Sequence, residues 1–131
     1  LMAAAQEGYR VVIQELLAAG TDVNARTNDG LTALLIASEK GHHRVVQELL
    51  AAKANVNARL NNGVTPLVMA SQNGHKMVVR TLLAAGADVN ARTKDGLTAL
   101  LIASEMDRSD VVLMLLAANA DVNGLISNKG T

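Results

Sequence analysis

The residues of this chain that are equipped for chemistry recur at a fixed interval. His42 and His75 stand thirty-three positions apart, with His43 beside the first, and these three are the only histidines. Ser38, Ser71 and Ser104 share one register, and Glu39 and Glu105 directly follow two of them. Arg26, Arg59 and Arg92 share another. Histidines invite a metal site, serines beside carboxylates a nucleophile with a base, and arginines a reader of carboxylates or phosphates. Which of these chemistries is open depends on the elements that carry the residues.

The same interval governs the apolar sequence. Thr65-Pro66-Leu67-Val68-Met69-Ala70 recurs as Thr32-Ala33-Leu34-Leu35-Ile36-Ala37 and Thr98-Ala99-Leu100-Leu101-Ile102-Ala103, with Leu1-Met2-Ala3-Ala4 as a reduced copy in register. Self-similarity at this period predicts stacked units. In each unit the Thr caps a first helix, A, and Pro66 sits at its first position, where a missing N–H does no harm. Helix A is predicted to stop at Gly8, Gly41, Gly74 and, in the last copy, Asp107. Helix B follows, its face painted by pairs such as Val45, Val46, Leu49, Leu50 and Val78, Val79, Leu82, Leu83. It closes at Gly20, Lys53, Gly86 and Asn119, and Lys53 carries a cost if that position requires positive φ. An extended segment around Val23, Val56, Val89 and Val122 leads to the tight-turn signals Asn28-Asp29-Gly30, Asn61-Asn62-Gly63 and Lys94-Asp95-Gly96. Neither helix is long enough to be stable alone, so stacking must supply the stability.

The order of turn, T-P-L-x-x-A, helix, G-H, helix and G-A-D-V-N resembles the ankyrin repeat, most closely at Pro66, Gly41-His42, Gly74-His75 and Gly86-Ala87-Asp88-Val89-Asn90. The likeness covers essentially the whole chain. It implies an all-α fold, a solenoid of helix-turn-helix units linked by β-hairpin-like fingers, with about four units of which the first is truncated. The units are expected near 1–28, 29–61, 62–94 and 95–127, followed by the start of a further finger, in one domain over 1–131. Where the family has a His after T-P-L, this chain has Leu35, Val68 and Leu101, so apolar packing must replace that hydrogen bond. The resemblance also implies that His42 and His75 bond backbone groups of a neighbouring hairpin; His43 is expected outward and solvated.

Stacking removes most of the chemistry. His42 and His75 fall in adjacent units, whose helices lie ~8–10 Å apart, whereas zinc ligands sit within ~2.1 Å of the ion. No His lies in the helix A register beside the serines, and a Ser needs an adjacent base to become a nucleophile. No phosphate-loop spacing of glycines is present. The chain is therefore expected to be no enzyme and to hold neither a cofactor nor a metal. Composition narrows the partners further. The formal net charge is zero over 131 residues, which lacks the broad positive field of a general nucleic-acid binder. The longest apolar runs fall short of the ~20 residues that span a bilayer, so no membrane role is expected. Without Cys there is no disulfide framework, in keeping with a reducing, cytoplasmic setting.

The resemblance implies recognition of another protein. In the family the surface used is concave, lined by finger tips and the outward face of the A helices. Carried over, it comprises Arg26, Asn28, Asp29, Leu31, Glu39 and Lys40, then Arg59, Asn61, Asn62, Val64, Gln72 and Asn73, then Arg92, Lys94, Asp95, Leu97, Glu105 and Met106. The Arg ladder either reads an acidic partner or lies solvated beside Asp29, Asp95, Glu39 and Glu105. Trp is absent and Tyr9 stands alone, though such residues dominate interface hot spots. Two other readings therefore stay open: a structural spacer in a larger multi-repeat protein, and an engineered consensus-like scaffold without a native partner. Helix B of the last copy carries Leu113 and Met114 where inner copies carry polar residues. These, with Leu125 and Ile126, are expected to mediate end-to-end self-association of a piece cut from a longer array.

Overall fold

The computed structural model describes residues 1–122. Among them are eight helices: α1 (Met2–Glu7), α2 (Arg10–Ala18), α3 (Ala33–Lys40), α4 (His43–Ala51), α5 (Pro66–Gln72), α6 (Lys76–Ala84), α7 (Ala99–Glu105) and α8 (Ser109–Ala117). Odd-numbered helices stack on one another in an A layer, even-numbered helices in a B layer, and each A helix packs on the B helix that follows it. The core lies between the layers. It is built from Leu34, Ala37, Leu67, Ala70, Leu100 and Ala103 of the A helices, and from Val45, Val46, Leu49, Val78, Val79, Leu82, Val111 and Leu115 of the B helices. Burying one such Leu or Val contributes about 1.5–3 kcal/mol, which a lone two-turn helix does not obtain.

The A helices begin where local chemistry says they should. Thr32, Thr65 and Thr98 are extended, and each hydroxyl accepts the third amide of its helix, from Leu35, Val68 and Leu101 at 3.2–3.3 Å. Those three residues fill the place of the family's His and are buried. Lys53 ends α4 with φ 71°, in the register of Gly20 and Gly86. A left-handed conformation costs a side-chain-bearing residue roughly 1–2 kcal/mol. Lys53→Gly is therefore expected to raise stability by about 1 kcal/mol, read as a higher urea midpoint at unchanged slope.

Two features depart from the sequence reading. The segment expected to be extended around Val23 is a turn: the Ala25 amide bonds the Asp22 carbonyl, and the Asn24 amide bonds the Asp22 side chain. Val23, Val56 and Val89 are half-buried and Val122 is exposed, because a turn exposes one side of the residue it carries. The following residue, Asn24, does more than turn the chain. Its Oδ1 accepts the Asn55 amide of the next unit at 2.7 Å, and Asn57 and Asn90 accept Asp88 and Asp121 in the same way at 2.8 and 2.7 Å.

A second line of junction bonds runs along the other end of the A layer. His42 Nε2 donates to the Gln6 carbonyl at 2.9 Å, and His75 Nε2 to the Glu39 carbonyl at 2.8 Å. In the fourth unit Arg108 stands in that register, and its Nε donates to the Gln72 carbonyl at 3.2 Å. The accepting carbonyls lie in the A helices, not in a hairpin as the resemblance implied. The last turn of a helix leaves its carbonyls without intrahelical donors, and an imidazole or guanidinium N–H fills one of them.

Candidate functional site

Each finger is a tight hairpin closed by its own backbone. Thr27, Leu60 and Thr93 donate to the carbonyls of Leu31, Val64 and Leu97 at 2.9–3.0 Å, and Gly30, Gly63 and Gly96 close the turns inside them. Neighbouring fingers are joined in turn. The Asn61 amide bonds the Asp29 carbonyl and the Lys94 amide the Asn62 carbonyl, both at 2.9 Å. The finger tips are thus held in a row beside the A helices.

This row accounts for several residues expected at a partner interface. Arg26 Nη2 donates to the Arg59 carbonyl at 3.0 Å, and Arg59 Nη2 to the Arg92 carbonyl at 2.8 Å. The carboxylate partners considered from sequence are not used, since the ion pairs among the described residues are Arg10–Glu48 and Lys76–Asp110. A guanidinium at the foot of one finger reaches the carbonyl above it more easily than a carboxylate on a separate turn. For Arg92 the equivalent carbonyl, at position 125, lies outside the described residues. Asn61 Nδ2 donates to the Asn28 carbonyl, Asn62 Oδ1 accepts the Val64 amide, and Asp29 accepts the Thr27 hydroxyl. Asn73 Nδ2 donates both to Met69 in its own helix and to Glu39 across the junction.

Glu39, Lys40, Gln72, Lys94, Asp95, Glu105 and Met106 are exposed, while Leu31, Val64 and Leu97 are half-buried, Leu31 and Val64 packing against the core. Seven of the expected residues, Asn62, Val64, Gln72, Asp95, Leu97, Glu105 and Met106, line one hollow of about 260 Å³ between the third and fourth units. Val68, Thr93 and Ile102 complete its lining, none of them among the expected interface residues, although Ile102 shares a register with Ile36 and Met69.

The other chemistry-bearing residues lie elsewhere. Ser38 and Ser71 are wholly buried, where no substrate reaches them, and Ser104 donates to the Leu100 carbonyl at 2.7 Å. His43 is not the solvated residue expected. It is half-buried, and its Nε2 shares a 2.8 Å hydrogen bond with the Thr81 hydroxyl on α6. It takes the place that Arg10 takes against Glu48 one unit earlier, so the helix B start reaches over its neighbour in both cases. Of the residues expected in end-to-end contact, Leu113 is 65% exposed and Met114 packs partly on the core; Leu125 and Ile126 lie outside the described residues. No described helix is long and apolar enough to cross a membrane.

A family model described as ankyrin repeats, in three copies, matches residues 1–93, and a second, described as ankyrin repeat, matches residues 95–128. No curated protein matches the chain.

Proposed function

The chain belongs to the ankyrin-repeat family, whose repeats are generally protein-interaction modules, and on that premise we propose that it binds another protein on its concave finger and helix A face without catalysing a reaction. The observation that supports this reading is a division of labour among polar side chains. Arg26, Arg59, Asn61 and Asn73 hold units together. Glu39, Lys40, Gln72, Lys94 and Glu105 make no side-chain bond to a described residue and remain exposed.

The units meet through bonds made when the stack folds, so a partner meets a surface whose backbone is already ordered. Preorganisation of this kind lowers the entropic cost of association. With no Trp and a single Tyr, affinity must come from Leu31, Val64, Leu97 and Met106 with the charges around them.

The reading is tested with a photocrosslinking residue placed singly at Lys40, Gln72 or Lys94, and at Gln47 or Arg80 on helix B as controls, in an extract. Adducts to another protein are expected from the first three positions and at least about tenfold fewer from the controls, because contact with a partner is confined to its interface. Adducts from Gln47 and Arg80 alone would move the site to the B layer.

A further inference from the structure

The junction that carries the hollow between the third and fourth units differs from the one before it, and its lining selects an occupant. At the earlier junction Asn73 bridges to the Glu39 carbonyl. At the later one Met106 stands in that register, has no amide to bridge with, and is 47% exposed. The hollow there has the apolar residues Val64, Val68, Leu97, Ile102 and Met106 in its lining, the neutral polar Asn62, Gln72 and Thr93, and two carboxylates, Asp95 and Glu105. Neither carboxylate has a hydrogen-bonding or ionic partner among the described residues. The corresponding acid Asp29, by contrast, takes the Thr27 hydroxyl.

Resting on the proposed function above, we propose that this hollow takes one Lys or Arg side chain of the partner protein. Its methylene stem would lie along Leu97, Ile102 and Met106, and its cationic head would meet Asp95 and Glu105. The size fits a single side chain, since about 260 Å³ is below the ~300–1,000 Å³ of pockets that bury drug-sized ligands. The chemistry fits a long basic side chain, the type that buries an aliphatic stem while its charge stays at the surface. A divalent cation is a poor match, because calcium takes about 6–8 oxygen ligands and no group of three or more His, Cys, Asp or Glu that could hold a metal ion is present among the described residues.

The test uses capped pentapeptides of Ala with a central Arg, Lys, citrulline or norleucine, titrated against the whole chain while the methyl signals of Met106 and Ile102 are followed by NMR. Citrulline keeps the shape of Arg and removes its charge. The Arg and Lys peptides are expected to bind about five- to tenfold more tightly than the citrulline and norleucine peptides, a preference that shrinks as salt rises from about 20 to 500 mM. Asp95→Asn with Glu105→Gln should abolish the preference, with an unchanged helical circular-dichroism signal showing that the variant folds. Equal binding of Arg and citrulline, or methyl signals that no peptide moves, overturns the assignment. If the crosslinks from Lys40 and Gln72 persist in that event, the interaction face stands and only the choice of occupant falls; if they are lost too, both fall.

Discussion

Leu49→Ala and Leu82→Ala should each destabilise the fold by about 2–5 kcal/mol, the range for deleting a fully enclosed Leu where the surroundings cannot collapse. Both side chains are 0% exposed, on α4 and α6, between layers whose helices have neighbours on either side. The loss is a large share of the ~5–15 kcal/mol that separates native from unfolded domains, so the urea midpoint should fall sharply. Leu113→Ala provides the contrast. That side chain is mostly exposed and should change stability by no more than about 0.5 kcal/mol. A loss below about 1 kcal/mol at Leu49 would place it outside the core and break the two-layer scheme.

Gly41→Ala should cost about 2–3 kcal/mol, more than the about 1–2 kcal/mol expected for Gly74→Ala, although the two glycines have nearly the same backbone. Their φ values are 76° and 71°, so left-handed strain is shared. The surroundings differ. A Cβ on Gly41 would lie 2.5 Å from His75 Nδ1, whereas on Gly74 the nearest atom is Arg108 Cδ at 3.1 Å. The imidazole is held by its bond to the Glu39 carbonyl and must break that bond to move aside, while the Arg108 chain has torsions that absorb a few tenths of an ångström. Thermal denaturation of both variants, with His75→Ala as background, measures the difference. If Gly41→Ala costs no more than Gly74→Ala, the imidazole is not pinned. If His75→Ala removes the excess, the ring is its cause.

What could be read from the sequence was whatever acts within a few residues or repeats with the period. Thr65 caps a helix through an amide only three residues on, and Gly41 ends one, so both are visible in a short window. Lys53 betrays its strained backbone only by standing where Gly20 and Gly86 stand. The roles of Asn24, Arg26 and His43 stayed hidden because their partners, Asn55, Arg59 and Thr81, are 31, 33 and 38 residues away. A pattern of residue types shows that a position recurs, but not whether it recurs to meet a partner molecule or the next unit. For that reason the expected interface mixed residues whose side chains join units, such as Asn73, with ones whose side chains make no such bond, such as Gln72. The hollow at Met106 was likewise out of reach, since its lining comes from residues of two units, Asn62 to Gln72 and Thr93 to Met106, that only the fold brings together.

The lines of junction bonds also have a mechanical meaning. A rigid body attached to its neighbour at one point can pivot freely, and attached at two points it can still swing about the line joining them. Here one unit holds the next through His42 or His75 past the end of one helix layer, and through Arg26 or Arg59 at the foot of the finger before its start. The Asn24, Asn57 and Asn90 contacts, between the end of helix B and the finger, supply a third point that blocks the remaining swing. Every one of these bonds crosses a single junction. Curvature is therefore a local property, set afresh at each step, and the stack should yield under load like a short spring whose stiffness is the series sum of its junctions.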